Sequence, residues 1–182
     1  MPADQDAEPN GRGPTGVSLL FVCTGNTCRS PLAEAICKRV LADELGCDPV
    51  ELPARGYEIR SAGIAAWAGD EASPPAVDVA REHGADLEDH RSRPVNPELL
   101  AAATRVIAMT RTHAMALAMR FPGLGPMPEL LGGDDGDLHD PIGGDTSDYR
   151  NCAAAIRYYL VRLLALKRVD DPTTDQRGAA GV

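Results

Sequence analysis

A sheet of parallel strands sandwiched between two layers of helices, an α/β three-layer fold, is what this 182-residue chain predicts. Three observations predict it. Short apolar runs alternate with helix-period segments across 17–169. The first run, Val17–Val22, is apolar at every position but Ser18, as strands buried on both faces nearly are. Helix-starting prolines and a helix-stopping glycine punctuate the joins. The length suits one core and is short for two. One domain over 17–169 is therefore expected, framed by polar, aperiodic tails at 1–16 and 170–182 that are expected to be disordered.

Each element has its own warrant. After the Val17–Val22 strand, Pro31 opens a helix to about Leu45, with Leu32, Ile36 and Val40 at four-residue spacing on one face. Tyr57–Ser61 predicts a second strand, followed by a loop carrying Trp67. Pro74–His83 forms a short helix that stops at Gly84. Asn96-Pro97 starts another helix, Arg105–Met109 a third strand, and Arg111–Arg120 a helix. A weaker fourth strand is expected near Met127–Leu131. The last helix runs from about Asp148 to Lys167, with Ile156, Leu160, Val161, Leu163 and Leu164 as its apolar stripe.

Bulk properties narrow the function classes. Hydrophobic residues make up 43% of the chain, ordinary for a globular domain, and the net charge is −9. That sign disfavours a nucleic-acid or anionic-membrane partner, since a polyanion needs cations to displace its counterions. No basic start with an apolar run marks an export signal, and no stretch reaches the ~20 apolar residues of a membrane span. Five cysteines, an odd number, suit a reducing compartment. The expectation is a cytoplasmic protein.

In parallel sheets, ligands bind beyond the carboxyl ends of the strands, which directs attention to the turn between Val22 and Pro31. It reads Cys23-Thr24-Gly25-Asn26-Thr27-Cys28-Arg29-Ser30. A helix N-terminus offers unpaired amides and the positive end of a dipole, suited to a tetrahedral oxyanion. Gly25 is the residue expected to let the backbone curl so that amides converge. Arg29 adds a planar fork matched to two phosphate oxygens. The same field stabilises a Cys23 thiolate, the nucleophilic form, and Ser30 can donate to that sulfur.

This loop, so near the N-terminus, resembles the low-molecular-weight protein tyrosine phosphatase family, and the resemblance extends from Val17 to about Val169. It implies a four-stranded parallel sheet, no metal, no cofactor, and a two-step reaction through a phosphocysteine. By matching position, Cys23 is the nucleophile, and Arg29 binds phosphate and stabilises the transition state. Thr24, Gly25, Asn26, Thr27, Cys28 and Ser30 complete the phosphate loop, Asn26 and Ser30 holding its shape. Ser61 and His90 match a serine and a histidine that support the loop asparagine. Trp67 matches an aromatic bordering the substrate cleft, although simple packing into its loop is an equal expectation.

The segment His139-Asp140-Pro141-Ile142-Gly143-Gly144 supplies the second motif. A poor leaving group needs a proton, and the phosphoenzyme then needs a base for its attacking water; one carboxylate can do both. The family's Asp-Pro falls in this late position, which makes Asp140 the acid. Asp134, Asp135 and Asp137 are expected to be solvated loop charges. His83 and His113 are expected to be ordinary surface positions on helices. Cys28 could form a reversible disulfide with Cys23.

Phosphorylated proteins are the substrates this implies, and Thr27, Trp67 and Ile142 bear on which side chain. The family's phosphotyrosine enzymes usually carry an aliphatic residue where this chain has Thr27, and the eukaryotic ones an aromatic where it has Ile142. Bacterial members with threonine include protein-arginine phosphatases, whereas Trp67 matches the phosphotyrosine enzymes. The balance leans toward phosphoarginine. Two other classes compete. An arsenate reductase of this fold needs two further cysteines mid-chain, and none lies between Cys47 and Cys152. A non-catalytic phosphate-binding module would be expected to have lost the cysteine or the acid, yet both are present.

Overall fold

The computed structural model describes residues 16–170. The expected terminal tails lie outside the described residues, except that Gly16 leads directly into the first strand and the last helix reaches Asp170. Four strands form one all-parallel sheet: β1 (Val17–Cys23), β2 (Tyr57–Gly63), β3 (Arg105–Ala108) and β4 (Glu129–Leu130), in the order β2-β1-β3-β4. Five helices accompany them: α1 (Arg29–Leu45), α2 (Pro74–Glu82), α3 (Pro97–Ala102), α4 (Arg111–Arg120) and α5 (Thr146–Asp170).

The alternation of side chains along β1 builds two cores. Leu19 and Phe21 face one side, where they join Ile107 of β3, Leu32 and Ile36 of α1, and Ile156 and Leu160 of α5. Leu20 and Val22 face the other, with Val106, Leu100 of α3 and Leu117 of α4. All of these are at most 2% exposed, so the strand is dry on both faces, which is why Leu19–Val22 is an unbroken apolar run. The three-layer sandwich expected from the sequence is therefore what forms.

Three element boundaries differ from expectation for physical reasons. The first helix begins at Arg29, two residues before Pro31; in a first turn, proline's missing N–H has no helical partner to lose. The fourth strand shrinks to two residues, because Pro126 and Pro128 have no N–H to give the ladder. The last helix starts at Thr146, where Asp145 Oδ1 accepts from the amides of Ser147 (2.7 Å) and Asp148 (3.2 Å). Among the described residues, no helix is long and apolar enough to cross a membrane.

Candidate active site

β1 ends at Cys23 and α1 starts at Arg29, so the turn between them sits beyond the carboxyl edge of the central strand. The Cys23 Sγ lies 3.0 Å from Ser30 Oγ and 3.3 Å from the amide of Asn26, which donates to it. The backbone curl that makes this possible is at Asn26 (φ 57°), the sole non-glycine at positive φ among the described residues. The sequence reading placed that freedom at Gly25; asparagine is one of the few other residues that tolerates the left-handed region. A glycine does matter one strand away. A Cβ on Gly63, at the end of β2, would stand 2.5 Å from Thr24 O and 3.0 Å from Asn26 N, so only glycine lets β2 approach the loop.

Asn26 is pinned on every side. Its Nδ2 donates to Ser30 Oγ and to Ser61 Oγ, both at 2.9 Å, and its Oδ1 accepts from the Arg93 amide at 2.9 Å. His90 Nε2 reaches its backbone carbonyl at 2.8 Å. Burial holds the His90 imidazole below its ordinary range, partly offset by that bond and by the Glu34 charge. A left-handed asparagine costs conformational energy, and these contacts over-determine it. Ser61 and His90 are thus both brought into hydrogen-bond contact with Asn26.

Arg29 is buried at 5% exposure. Its Nη1 donates to Leu138 O at 3.3 Å, and its Nη2 is paired with Asp140 Oδ2. Asp140 is brought 111 residues along the chain to that guanidinium, and its Oδ1 also accepts from the Ile142 amide at 3.2 Å. Thiol, guanidinium and carboxylate therefore meet at one mouth. Thr27 is held through its carbonyl, which accepts from the Ser73 amide at 2.9 Å. Trp67 and Ile142 are exposed, Trp67 at 80%, which excludes its packing into the loop.

Two further groups bear on the loop, and the first runs against expectation. His113 is 6% exposed, not a surface residue. Its Nε2 meets Thr24 Oγ1 at 2.9 Å and its Nδ1 meets Thr110 Oγ1 at 3.0 Å, so it buttresses the residue next to Cys23. Burial and the Arg29 charge hold its imidazole below the ordinary histidine range, with Asp140 and Asp137 opposing. Its signal in the sequence was position, just past the end of a strand, with Thr110 capping its helix. Glu34, buried in α1, accepts from Ser61 Oγ at 2.6 Å and pairs with Lys38 Nζ. Glu34 stands between Ser30 and Lys38 at four-residue spacing, off the Leu32–Ile36–Val40 stripe, so periodicity alone assigned it to the solvent side.

Of the other cysteines, Cys28 is part of the loop and Cys152 lies close to it. Cys28 Sγ lies 3.3 Å from Ser73 Oγ and 3.5 Å from Tyr149 Oη. Burial and that sulfur contact push the tyrosine hydroxyl above its ordinary range. Cys152 is buried, and its thiol is pushed up to about 12 by desolvation. It is correspondingly inert.

Residues 18–173 match a protein family described as "Low molecular weight phosphotyrosine protein phosphatase". Among characterised relatives, a protein-arginine-phosphatase of Geobacillus stearothermophilus is 38% identical over 80% of this chain and 92% of its own length. One from Bacillus subtilis is 36% identical over 74% and 85%. A low molecular weight protein-tyrosine-phosphatase, PtpB, of Staphylococcus haemolyticus is 30% identical over 80% and 96%. Among solved structures, the YwlE arginine phosphatase from Geobacillus stearothermophilus superposes with a TM-score of 0.73 at 35% identity, covering 85% of this chain and 94% of that one. A YwlE cysteine-to-serine mutant with a phosphorylated active-site serine superposes equally well, at a TM-score of 0.73 and 33% identity, over 86% and 99%.

Proposed function

The chain belongs to the low molecular weight phosphotyrosine protein phosphatase family and is a cysteine-dependent hydrolase; on that footing we propose that Cys23 is its nucleophile, Asp140 its proton donor and acceptor, and phosphoarginine its preferred target. The observation carrying this is the arrival of Asp140, from 111 residues along the chain, at the loop that holds Cys23 and Arg29. A buried thiol receives the Asn26 amide and faces Ser30 Oγ, while the buried Arg29 fork meets Asp140 at the same loop.

In the first step the Cys23 thiolate attacks phosphorus and an S–P bond forms. The P–N bond of a phosphoarginine, or the P–O bond of a phosphotyrosine, breaks with its electron pair going to the leaving atom, which takes a proton from Asp140. Arg29 and the loop amides hold the phosphoryl oxygens through the transition state. In the second step Asp140, now a carboxylate, takes a proton from water as its oxygen attacks phosphorus. The S–P bond breaks, the thiolate returns, and inorganic phosphate leaves. Ser30 donates to the departing sulfur.

Two things support phosphoarginine: Thr27 in the loop, and relatives at 36–38% identity that act as protein-arginine phosphatases by name. Threonine offers a short wall with a hydroxyl, which suits a planar, donor-rich guanidinium. Isoleucine would offer an apolar wall, where that guanidinium loses by desolvation and a phenyl ring gains. Both are β-branched, so the exchange disturbs the backbone little. The test is Thr27→Ile, measured as kcat/KM for phosphoarginine and phosphotyrosine peptides. The ratio should move roughly 10–200-fold toward phosphotyrosine, the span of one pocket contact. A ratio that stays put, or moves toward phosphoarginine, returns phosphotyrosine to the lead. Phosphorylated proteins as substrates and a cytoplasmic location belong to the same proposal; the five free cysteines support the location, and cell fractionation checks it.

A further inference from the structure

A continuous line of hydrogen bonds runs from the nucleophile to a buried carboxylate on the next turn of α1. Cys23 Sγ meets Ser30 Oγ (3.0 Å), Ser30 Oγ meets Asn26 Nδ2 (2.9 Å), Asn26 Nδ2 meets Ser61 Oγ (2.9 Å), and Ser61 Oγ meets Glu34 Oε2 (2.6 Å). Cys23, Ser30, Asn26 and Ser61 are each at most 3% exposed, and Glu34 is 9% exposed. Water therefore has little access with which to satisfy any of these groups differently.

The donors in this line can be assigned by elimination. The Arg93 amide can only donate, and it donates to Asn26 Oδ1, so the amide nitrogen of Asn26 faces the two serines. That nitrogen carries two hydrogens and no acceptor site, so it donates to both hydroxyls. Lys38 Nζ pairs with the other Glu34 oxygen, and the Glu34 carboxylate only accepts. Ser61 must then donate to Glu34 and accept from Asn26. Ser30, already accepting from Asn26, keeps its one hydrogen for either Cys23 Sγ at 3.0 Å or Ala62 O at 3.3 Å. A thiolate is the charged acceptor of the two, and charge-assisted bonds are the stronger ones.

We infer that Glu34 is a positioning residue: by taking the Ser61 hydrogen it aligns the whole line, so that the Ser30 hydroxyl is presented to the Cys23 sulfur. This rests on Cys23 being the nucleophile. Without the carboxylate, the Ser61 hydrogen loses its acceptor and its lone pair no longer holds Asn26 in register. The consequence is felt twice, as a less stabilised thiolate and as a looser left-handed turn at Asn26. Glu34 is not bonded to the sulfur, so its effect travels through Ser61 and Asn26, beside the charge it exerts on His90.

The experiment reads the thiolate directly. Cys23 alkylation by iodoacetamide is followed from pH 4 to 9 in wild type, Glu34→Gln, Glu34→Ala and Lys38→Ala, beside kcat and KM. Arg29, Asp140, His113, Tyr149, Cys28 and Cys152 surround the loop unchanged in every variant, whereas His90 feels the charges of both Glu34 and Lys38, so Lys38→Ala is the control for an effect carried by His90. Glu34→Ala should move half-maximal alkylation up by about one pH unit and lower kcat about tenfold, the size of one lost charge-assisted bond. Glu34→Gln keeps a neutral acceptor for Ser61 and should fall between, and Lys38→Ala should leave the profile in place. Lowered thermal stability with an unmoved alkylation profile in Glu34→Gln overturns the inference, and does so even if Glu34→Ala fails to fold. Absent turnover in wild type, with the alkylation shift intact, would instead sink the phosphatase reading and leave the Glu34 line standing.

Discussion

Replacing Asp140 by Asn removes one charge and one proton donor while keeping the shape of the side chain, and the Asn oxygen can still accept from the Ile142 amide. The carboxylate has two separable effects, because it is paired with the guanidinium that must hold phosphate. In the ligand-free geometry, Asp140 competes with phosphate for Arg29. The arginine side chain is 6% exposed but the aspartate 39%, so solvent screens the pair and its worth belongs in the surface range of ~0.2–1 kcal/mol. Asp140→Asn should therefore bind inorganic phosphate about 1.5- to fivefold more tightly. Catalysis should move the other way. Substrates with poor leaving groups should lose roughly 10²–10⁴-fold in kcat, the usual scale of general acid catalysis, and those with good ones progressively less. With the best leaving groups the second step should become limiting, since the same residue serves there as the base. Phosphate should then accumulate on Cys23, visible by mass spectrometry of a quenched reaction. The assays are kcat/KM over a series of aryl phosphates and competitive inhibition by phosphate. Equal slowing across the series would refute Asp140 as the acid, and weaker phosphate binding would refute the competition for Arg29. Asp145, the next carboxylate along, is a poor substitute, because its Oδ1 is committed to the amides that open α5.

Two further outcomes follow from the groups behind the loop. The depressed His113 and His90 imidazoles take up fewer protons in the folded state than their unfolded counterparts, so their contribution is fully present above about pH 6.5 and is lost as pH falls below it. Thermal melts at pH 7.5 and 5.5 should show a smaller acid-induced drop in His113→Asn than in wild type, whatever the baseline; equal drops would remove His113 from the account. Mild peroxide should convert the Cys23 thiolate to a sulfenic acid that the Cys28 thiol attacks with loss of water, giving a disulfide. For this, Cys28 must leave its contacts with Ser73 and Tyr149. If Cys28→Ala recovers with reductant as completely as wild type after matched oxidation, Cys28 protects nothing.

How much of this was legible in the sequence depended on whether the signal was local. The strand, loop and helix from Val17 to Leu45 form one contiguous stretch, so the proposed nucleophile and phosphate-binding arginine, Cys23 and Arg29, could be singled out from it. Asp140 was reachable only because a motif marked it. The curl was misplaced from Asn26 to Gly25, since glycine is the default for positive φ and nothing local reveals that four partners restrain an asparagine instead. The fourth strand was overextended because apolar content was weighed and the two prolines were not.

His113 and Glu34 were missed for a different reason: each acts by pairing with a side chain distant in sequence, and helix periodicity cannot say which polar group is turned inward. The sheet register supplies what periodicity lacks. Cys23 lies beside Gly63, and Val22 beside both Ala62 and Ala108. The last residues of β2 and the start of α4 are therefore forced to the same edge as the phosphate loop. Residues within about one helical turn of each strand end would have included Ser61 and His113 on that ground alone. Glu34 would still have escaped that criterion, because it reaches the site by another periodicity. It sits four residues beyond Ser30 on α1, which stacks the two on one helix face, and Ser61 joins it to Asn26 across the sheet edge. A carboxylate one turn behind a phosphate loop, on the helix face of the loop's own serine, is thus where support for the loop cysteine is to be sought.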